Sequence, residues 1–189
     1  MSISFDWNET YTQELIAFIQ KAVQTRSYSD EEGDFARLIV EKMKELDFDE
    51  VSIDPAGNVV GKVGNGPVVI HFDSHMDTVQ VNDADEWVSP PFGGEIVDGK
   101  LYGRGSVDMK SSLCASVFAA ALAKKSGLLG ISGVSNDLRL VIEAAEGGNG
   151  RKNCKESSKY LSELTAALIS TESVFQVIHS AAGPFTFLV

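Results

Sequence analysis

The sequence predicts an α/β fold in which a mixed, partly parallel sheet is flanked by helices. Segments with apolar residues at helical spacing alternate with short, continuous apolar segments, and this alternation is typical of α/β domains. The apolar segment at residues 67–72 resembles a strand that is buried on both faces, as strands of parallel sheets are. The 189 residues, 43% of them hydrophobic, suffice for one domain with a sizeable core or slightly more.

The spacing of apolar residues predicts three helices in order along the chain. Residues 9–26 carry apolar side chains at helical spacing, and Asn8 is a suitable N-cap. Residues 29–46 repeat the pattern, and the acidic first turn at residues 29–32 suits the helix dipole. Residues 108–125 have apolar side chains every four positions, which predicts the third helix.

Turn residues divide the remaining apolar segments into strands. Residues 54–58 form a turn sequence containing Pro, Gly and Asn, and Asp98-Gly99 is a typical hairpin tip. Each turn therefore predicts a hairpin. The predicted strands comprise residues 51–53, 59–63, 67–72, 95–97, 100–102, 138–142 and 166–170, and a further helix is predicted at 154–164.

The composition argues against nucleic-acid and membrane partners. Sixteen Lys and Arg against 27 Asp and Glu give a net charge of −11, which repels phosphate backbones, so no nucleic-acid partner is expected. The longest apolar segment, residues 117–123, is too short to cross a bilayer, and the first residues lack a signal-peptide pattern. Cys114 and Cys154 form no CxxC motif and suit reduced thiols. We therefore expect a soluble, cytoplasmic protein without a membrane partner.

The residues that predict chemistry follow the strand at 67–72, in the string HFDSHMDTV. His75 and Asp77 lie two residues apart just past its predicted end, and ligands in open α/β sheets bind at the carboxyl ends of strands. A metal-binding imidazole commonly donates its other N–H to a carboxylate. His75 is therefore predicted to bind a metal and Asp77 to orient it. His71 and Asp73 repeat the spacing inside the apolar strand and are predicted to be structural or to lie in the outer shell behind the ligands.

A second carboxylate, Asp108, follows the turn Gly103-Arg104-Gly105 and is predicted to open the third helix. Glycines allow close approach of the backbone, and a carboxylate in this position can bridge two cations. Imidazole and carboxylate ligands suit zinc, cobalt or manganese better than calcium. His75 and Asp108 are thus candidate ligands of the same metal centre.

Residues 54–127 resemble the di-zinc metallopeptidase and deacylase family, which includes aminoacylases, acetylornithine deacetylase, succinyl-diaminopimelate desuccinylase and glutamate carboxypeptidases. The resemblance implies an α/β catalytic domain with two bridged zinc ions and a smaller inserted lid domain that often mediates dimerisation. It also implies that His75 binds one ion, Asp77 orients His75, and Asp108 bridges both ions. The motifs that carry the resemblance are HMDTV, Trp87, Pro91-Phe92, Asp98-Gly99, LYGRG and DMK.

The family's next motif, an adjacent Glu-Glu pair in which the first is the general base and the second a metal ligand, is incomplete in this chain. The matching region reads EAAEGG and contains Glu143 and Glu146. In one register Glu146 is the ligand and Ala145 occupies the position of the base. In the other register Glu146 is the base and Gly147 occupies the position of the ligand. Glu143 could substitute only if the loop rearranges.

Further downstream, Glu172 follows the strand at 166–170 and resembles the family's acidic ligand at a strand end. The family's last ligand, a His, falls beyond the end of this chain. The resemblance therefore implies a catalytic-domain part at residues 1–180 and the start of a truncated lid at 181–189. A homodimer is expected only for a chain that carries the lid.

Two functional hypotheses follow. The first is a metal-dependent hydrolase of amide bonds in N-acyl amino acids or small peptides. The second is a truncated, non-catalytic remnant that binds a metal ion or a partner without turnover. Under either hypothesis this chain retains ligands for one ion or for none where the family holds two, and alone it is expected to be weakly active or inactive.

Overall fold

The computed structural model describes residues 8–65, 69–127, 129, 137–143 and 167–170. The helices are α1 (Glu9–Gln24), α2 (Gly33–Glu45) and α3 (Ser111–Lys125), and a short 3-10 helix spans Ala84–Glu86. The strands are β1 (Glu50–Ile53), β2 (Val59–Gly64), β3 (Val69–His75), β4 (Glu95–Val97), β5 (Lys100–Tyr102), β6 (Asp137–Glu143) and β7 (Ala167–Ser170).

A five-stranded sheet organises the fold in the order β1-β2-β6-β3-β7. β1 and β2 form the predicted antiparallel hairpin, and β2 also pairs antiparallel with β6. β3 runs parallel to both β6 and β7. The prediction of a mixed, partly parallel sheet with flanking helices is thus confirmed. The carboxyl ends of β3, β6 and β7 lie at one edge, where His75 is paired with Glu143 in register.

The second predicted hairpin, β4–β5, forms a separate two-stranded sheet. Its tip places Asp98 at φ 50° and Gly99 at φ 73°. Two successive residues with positive φ are what a type I′ hairpin turn requires. The Asp-Gly sequence therefore adopts the turn that its composition predicts.

The helix boundaries agree with the sequence at α1 and differ at α2. Asn8 caps α1 as predicted, because its side chain accepts a hydrogen bond from the Tyr11 N–H at 3.0 Å. The prediction that the second helix begins at residue 29 was wrong, since α2 begins at Gly33. Residues 27–30 instead pair with the segment after β3: Tyr28 forms a bridge with Thr78. Asp30 has φ 71°, which ends any helix through that position.

The core lies between the sheet and the three helices, with α3 near its centre. Leu113, Val117 and Phe118 of α3 are completely buried, and the Tyr11 ring packs edge-on against Phe118 with ring centres 5.3 Å apart. The segment Ser106–Lys125 is long and apolar enough to span a membrane by length and composition. Its burial against α1 and the sheet accounts for that composition, as in core helices of globular proteins.

Several sequence predictions lie outside the described residues. They comprise the helix at 154–164 and the proposed lid at 181–189. The predicted strands at 138–142 and 166–170 are confirmed as β6 and β7 within one residue at each end.

Candidate metal centre

His75 is the last residue of β3, and its ring is held from one side by Asp77. The prediction that the strand ends at residue 72 was wrong by three residues, because β3 continues to pair with β6 as far as His75. The His75 Nδ1 atom lies 3.0 Å from Asp77 Oδ1 and 3.2 Å from the Asp77 carbonyl oxygen. Both residues are buried. With two acceptors at Nδ1, we assign the ring proton to that atom, which leaves the Nε2 lone pair available for a ligand.

Asp108 lies on the other side of the ring. Its Oδ1 is 3.2 Å from His75 Nε2, and its side chain is 69% exposed. The prediction that Asp108 opens the helix was wrong, because α3 begins at Ser111 and Asp108 has extended backbone angles (φ −118°, ψ 98°). The segment 106–110 forms a single wide turn closed by the Lys110 N–H donating to the Gly105 carbonyl at 2.9 Å. This turn presents the Asp108 carboxylate to the imidazole.

Gly105 is required for that presentation. Its φ of 81° lies in the left-handed region, and a Cβ there would lie 2.7 Å from Thr78 Cγ2. Both the backbone conformation and the space therefore favour glycine. The Gly-Arg-Gly turn thus packs directly against the segment that follows His75.

The loop between α1 and α2 forms hydrogen bonds to Asp77 and to the backbone on either side of it. The Ser29 hydroxyl donates to Asp77 Oδ2 at 2.7 Å. The Ser27 hydroxyl donates to the Met76 carbonyl at 2.7 Å, and the Thr78 N–H donates to the Ser27 carbonyl at 2.8 Å. Sequence reasoning missed these serines because their partners lie about fifty positions away in the chain and no local pattern marks them.

Lys110 anchors the turn that carries Asp108. Its side chain is completely buried, and its Nζ donates to the carbonyls of Ala22 at 3.0 Å and Thr25 at 2.6 Å at the end of α1. The ammonium also lies 4.4 Å from the centre of the Phe35 ring. A cation suits the carboxyl end of a helix, but burial lowers the pKa of Lys110 to about 8.

Glu32 adds a buried carboxyl group near Asp77. Burial is the main reason that its pKa is raised, and the negative charge of Asp77 contributes to the same shift. Glu32 Oε1 accepts a hydrogen bond from the Asp30 N–H at 2.8 Å. The carboxylates in contact with the imidazole, which favour a cation at this site, are those of Asp77 and Asp108.

A cavity of about 270 Å³ opens between the two halves of the centre and is lined by His75, Asp77, Asp108 and residues 103–107. Two ligands of a tetrahedral zinc ion with bonds of about 2.0–2.1 Å lie about 3.3 Å apart, close to the 3.2 Å between His75 Nε2 and Asp108 Oδ1. Among the described residues, no three His, Cys, Asp or Glu side chains are grouped to hold a metal. His75 and Asp108 therefore fit as two ligands of a site that needs more.

A comparison with known protein families identifies the family of this chain. Residues 71–183, more than half of the chain, match the family described as Peptidase family M20/M25/M40. The chain belongs to this family. The resemblance to metallopeptidases and deacylases in the sequence is thereby confirmed.

Comparison with two similar proteins shows what fraction of their length the chain covers. It is 33% identical over 120 residues to a probable succinyl-diaminopimelate desuccinylase of Staphylococcus epidermidis, covering 62% of this chain and 30% of that protein. The di-peptidase Dug1p of Saccharomyces cerevisiae superposes with a TM-score of 0.72 at 18% identity, covering 87% of this chain and 39% of Dug1p. The chain thus spans well under half the length of these proteins.

A third similar protein is a dinuclear metal-binding peptidase. YXEP of Bacillus subtilis, a dinuclear metal-binding peptidase of the M20 family, superposes with a TM-score of 0.63 at 18% identity, covering 87% of this chain and 43% of YXEP. At such low identity the likeness to Dug1p and YXEP shows a shared fold. The M20 catalytic fold therefore accounts for the arrangement of helices and sheet described above.

The structure brings together three of the five predicted site residues. His75, Asp77 and Asp108 are in mutual contact through the imidazole. Glu146 and Glu172 lie outside the described residues. Their strands can still be compared: β6 ends at Glu143 and β7 at Ser170, at the same edge of the sheet as His75. The strands β6 and β7 therefore reach this edge three positions before Glu146 and two positions before Glu172 in the sequence.

Proposed function

We propose that this chain forms part of a metal-dependent hydrolase that cleaves amide bonds in N-acyl amino acids or small peptides. The observation that carries the proposal is the imidazole of His75, backed by Asp77 on Nδ1 and facing Asp108 on Nε2. Membership of the M20 family and the desuccinylase and dipeptidase named among its relatives support the same reaction type.

Each residue has a distinct task in the proposed site. A divalent ion, which we propose to be zinc, cobalt or manganese, supplies polarisation of the scissile carbonyl and activation of water when bound. His75 Nε2 and Asp108 hold that ion. Asp77 keeps the Nδ1 proton in place and so preserves the Nε2 lone pair, and Ser29 orients Asp77 through its hydrogen bond of 2.7 Å.

The downstream carboxylates complete the proposed site. Glu172 serves as a further ligand. Glu146 serves either as a ligand or as the general base that takes the proton of the attacking water and returns it to the leaving amine. The absence of a general base typically lowers the rate about 10²–10⁴-fold. A competing proposal, a chain that holds metal without turnover, is favoured by the single Glu146 where the family has a pair.

Zinc binding provides the first test. We expect Asp108→Asn and His75→Ala to weaken zinc binding by about a hundredfold or more, since residues that only orient a ligand are already worth about 10–100-fold. Asp98→Asn is the matched control, because Asp98 lies in an exposed hairpin turn with φ 50° that Asn tolerates. Calorimetric titration of the three variants and the wild type checks this. Equal zinc affinity in Asp108→Asn and Asp98→Asn would refute the assignment.

Amine release separates the two functional proposals. The metal-loaded chain is incubated with N-acetyl and N-succinyl amino acids, and the free amine is measured. Turnover that disappears in Asp108→Asn and persists in Asp98→Asn supports the hydrolase. Stoichiometric zinc without amine release supports the non-catalytic alternative.

A further inference from the structure

Arg104 lies at the wall of the cavity that contains His75 and Asp108. Its guanidinium carbon is 5.0 Å from the centre of the Trp87 ring, and its backbone N–H donates to the Pro91 carbonyl at 2.6 Å. Stacking on an aromatic face holds the planar guanidinium in one orientation without using any of its N–H groups. The Trp87 ring thus orients Arg104, whose side-chain donors stay available for another partner.

The donors of Arg104 are not used within the described part of the chain. Its Nε atom is buried and has no hydrogen-bond partner there, and the ion pairs formed among the described residues do not include it. Buried polar groups normally have partners, so a buried N–H without one requires an explanation. A ligand that enters the cavity is the simplest one.

Arg26 is an arginine of the same chain that stacks on an aromatic ring and also forms an ion pair. Its guanidinium carbon also lies 5.0 Å from an aromatic ring centre, that of Tyr28. Arg26 is nevertheless paired with Glu31 at 2.8 Å, and it does not line the cavity of the metal centre. Of these two stacked arginines in a chain of net charge −11, only Arg104 lacks an acidic partner among the described residues.

We propose that Arg104 binds a carboxylate of the substrate. The guanidinium fork matches the geometry of a carboxylate, which can accept two parallel N–H donors. The inference rests on the proposed function, because N-acyl amino acids carry such a group. A depression of about 340 Å³ beside Trp87 and Tyr102 shares Gly103 with the metal cavity. It offers room for the part of the ligand beyond the scissile amide.

Three probes of one size class distinguish the source of the carboxylate. N-Acetylglycine carries it on the amino-acid side, N-succinylglycinamide carries it on the acyl side, and N-acetylglycinamide carries none. Their affinities for the zinc-loaded 189-residue chain are measured by calorimetry. The same titrations are run on Arg104→Gln, Arg104→Lys and the control Arg26→Gln, which removes one stacked arginine and the same charge.

We expect Arg104→Gln to weaken binding of one carboxylate probe about tenfold or more, because a hydrogen bond to a charged group is lost. Binding of N-acetylglycinamide and of zinc should stay unchanged. Arg104→Lys should recover part of the lost affinity, since it restores the charge without the fork. Arg26→Gln should bind all three probes like the wild type. The probe that responds identifies the side of the substrate that Arg104 contacts.

The inference is overturned if Arg104→Gln binds both carboxylate probes like the wild type, if it loses the neutral probe equally, or if neither carboxylate probe binds the wild type. Zinc affinity on the same samples separates this failure from failure of the proposed function. Zinc bound through His75 and Asp108 with no effect of Arg104 refutes the carboxylate site alone. A wild-type chain that binds no zinc refutes both. Arg104→Lys keeps the test decisive if Arg104→Gln does not fold.

Discussion

At the scale of single residues, the hydrogen bond from Ser29 to Asp77 is the feature with the clearest consequence. We expect Ser29→Ala to weaken zinc binding about tenfold, as is typical when a residue behind a metal ligand loses its partner. The reason is that the 2.7 Å hydrogen bond from Ser29 fixes Asp77 Oδ2, while Asp77 Oδ1 contacts His75 Nδ1. Titration with zinc at fixed pH measures the change.

The control for that prediction is Ser116→Ala, in which an equally short bond of 2.7 Å to the Leu113 carbonyl is removed within α3. It should leave zinc affinity unaltered. A Ser29→Ala variant that binds zinc as tightly as Ser116→Ala would show that Asp77 is held sufficiently by the imidazole and the backbone alone.

The same residues show what a sequence can predict of a site. His75 and Asp77 are two positions apart, so their contact follows from local spacing, and Asp108 was found through the Gly-Arg-Gly motif before it. Ser29 and Lys110 contact partners 48 and 85 or more positions away, and nothing local distinguishes them from surface residues. Those contacts depend on how the helices pack against the sheet.

At the scale of elements, periodicity predicted the helices and hairpins because their hydrogen bonds are local. It failed at the start of α2 and of α3, where tertiary contacts override the helical pattern. Residues 27–30 are drawn into pairing with the segment after β3. Asp108 is held extended by the turn that Gly105 begins. Both exceptions occur at the candidate site, where tertiary contacts override the local helical preference.

Lys110, at the junction between α1 and α3, should make the free energy of unfolding depend on pH. Its pKa is about 8 in the folded chain and about 10.4 in an unfolded one. Between these values the unfolded state binds more protons, so stability rises with pH. We expect the free energy of unfolding of the wild type, minus that of Lys110→Met, to increase by on the order of 2 kcal/mol from pH 8 to pH 10.

Urea denaturation of both proteins across that pH range checks the prediction, and all other titrating groups cancel in the difference. The sign of the change in this free-energy difference with pH is what tests the prediction. A difference that falls as pH rises would mean that the bonds to the Ala22 and Thr25 carbonyls stabilise the ammonium more than burial penalises it.

At the scale of the whole molecule, the candidate ligands and the serine that orients Asp77 belong to separate parts of the fold. His75 ends a central strand of the sheet, Asp108 precedes α3, and Ser29 belongs to the connection between α1 and α2. An ion held by His75 and Asp108 therefore depends on elements that are adjacent only in the folded state. Metal binding should consequently be linked to global unfolding rather than to the opening of one loop.

This linkage predicts a thermal shift. Zinc at about 100 times its dissociation constant should stabilise the folded chain by about 2.7 kcal/mol, which corresponds to a rise in Tm of about 5–10 °C for a chain of this size. The shift should be reversed by a chelator and lost in His75→Ala. Calorimetry with and without zinc measures it. Since zinc would also bind scattered groups of an unfolded chain and so lower Tm, a negative shift in the wild type would mean that the folded centre is too incomplete to hold the ion.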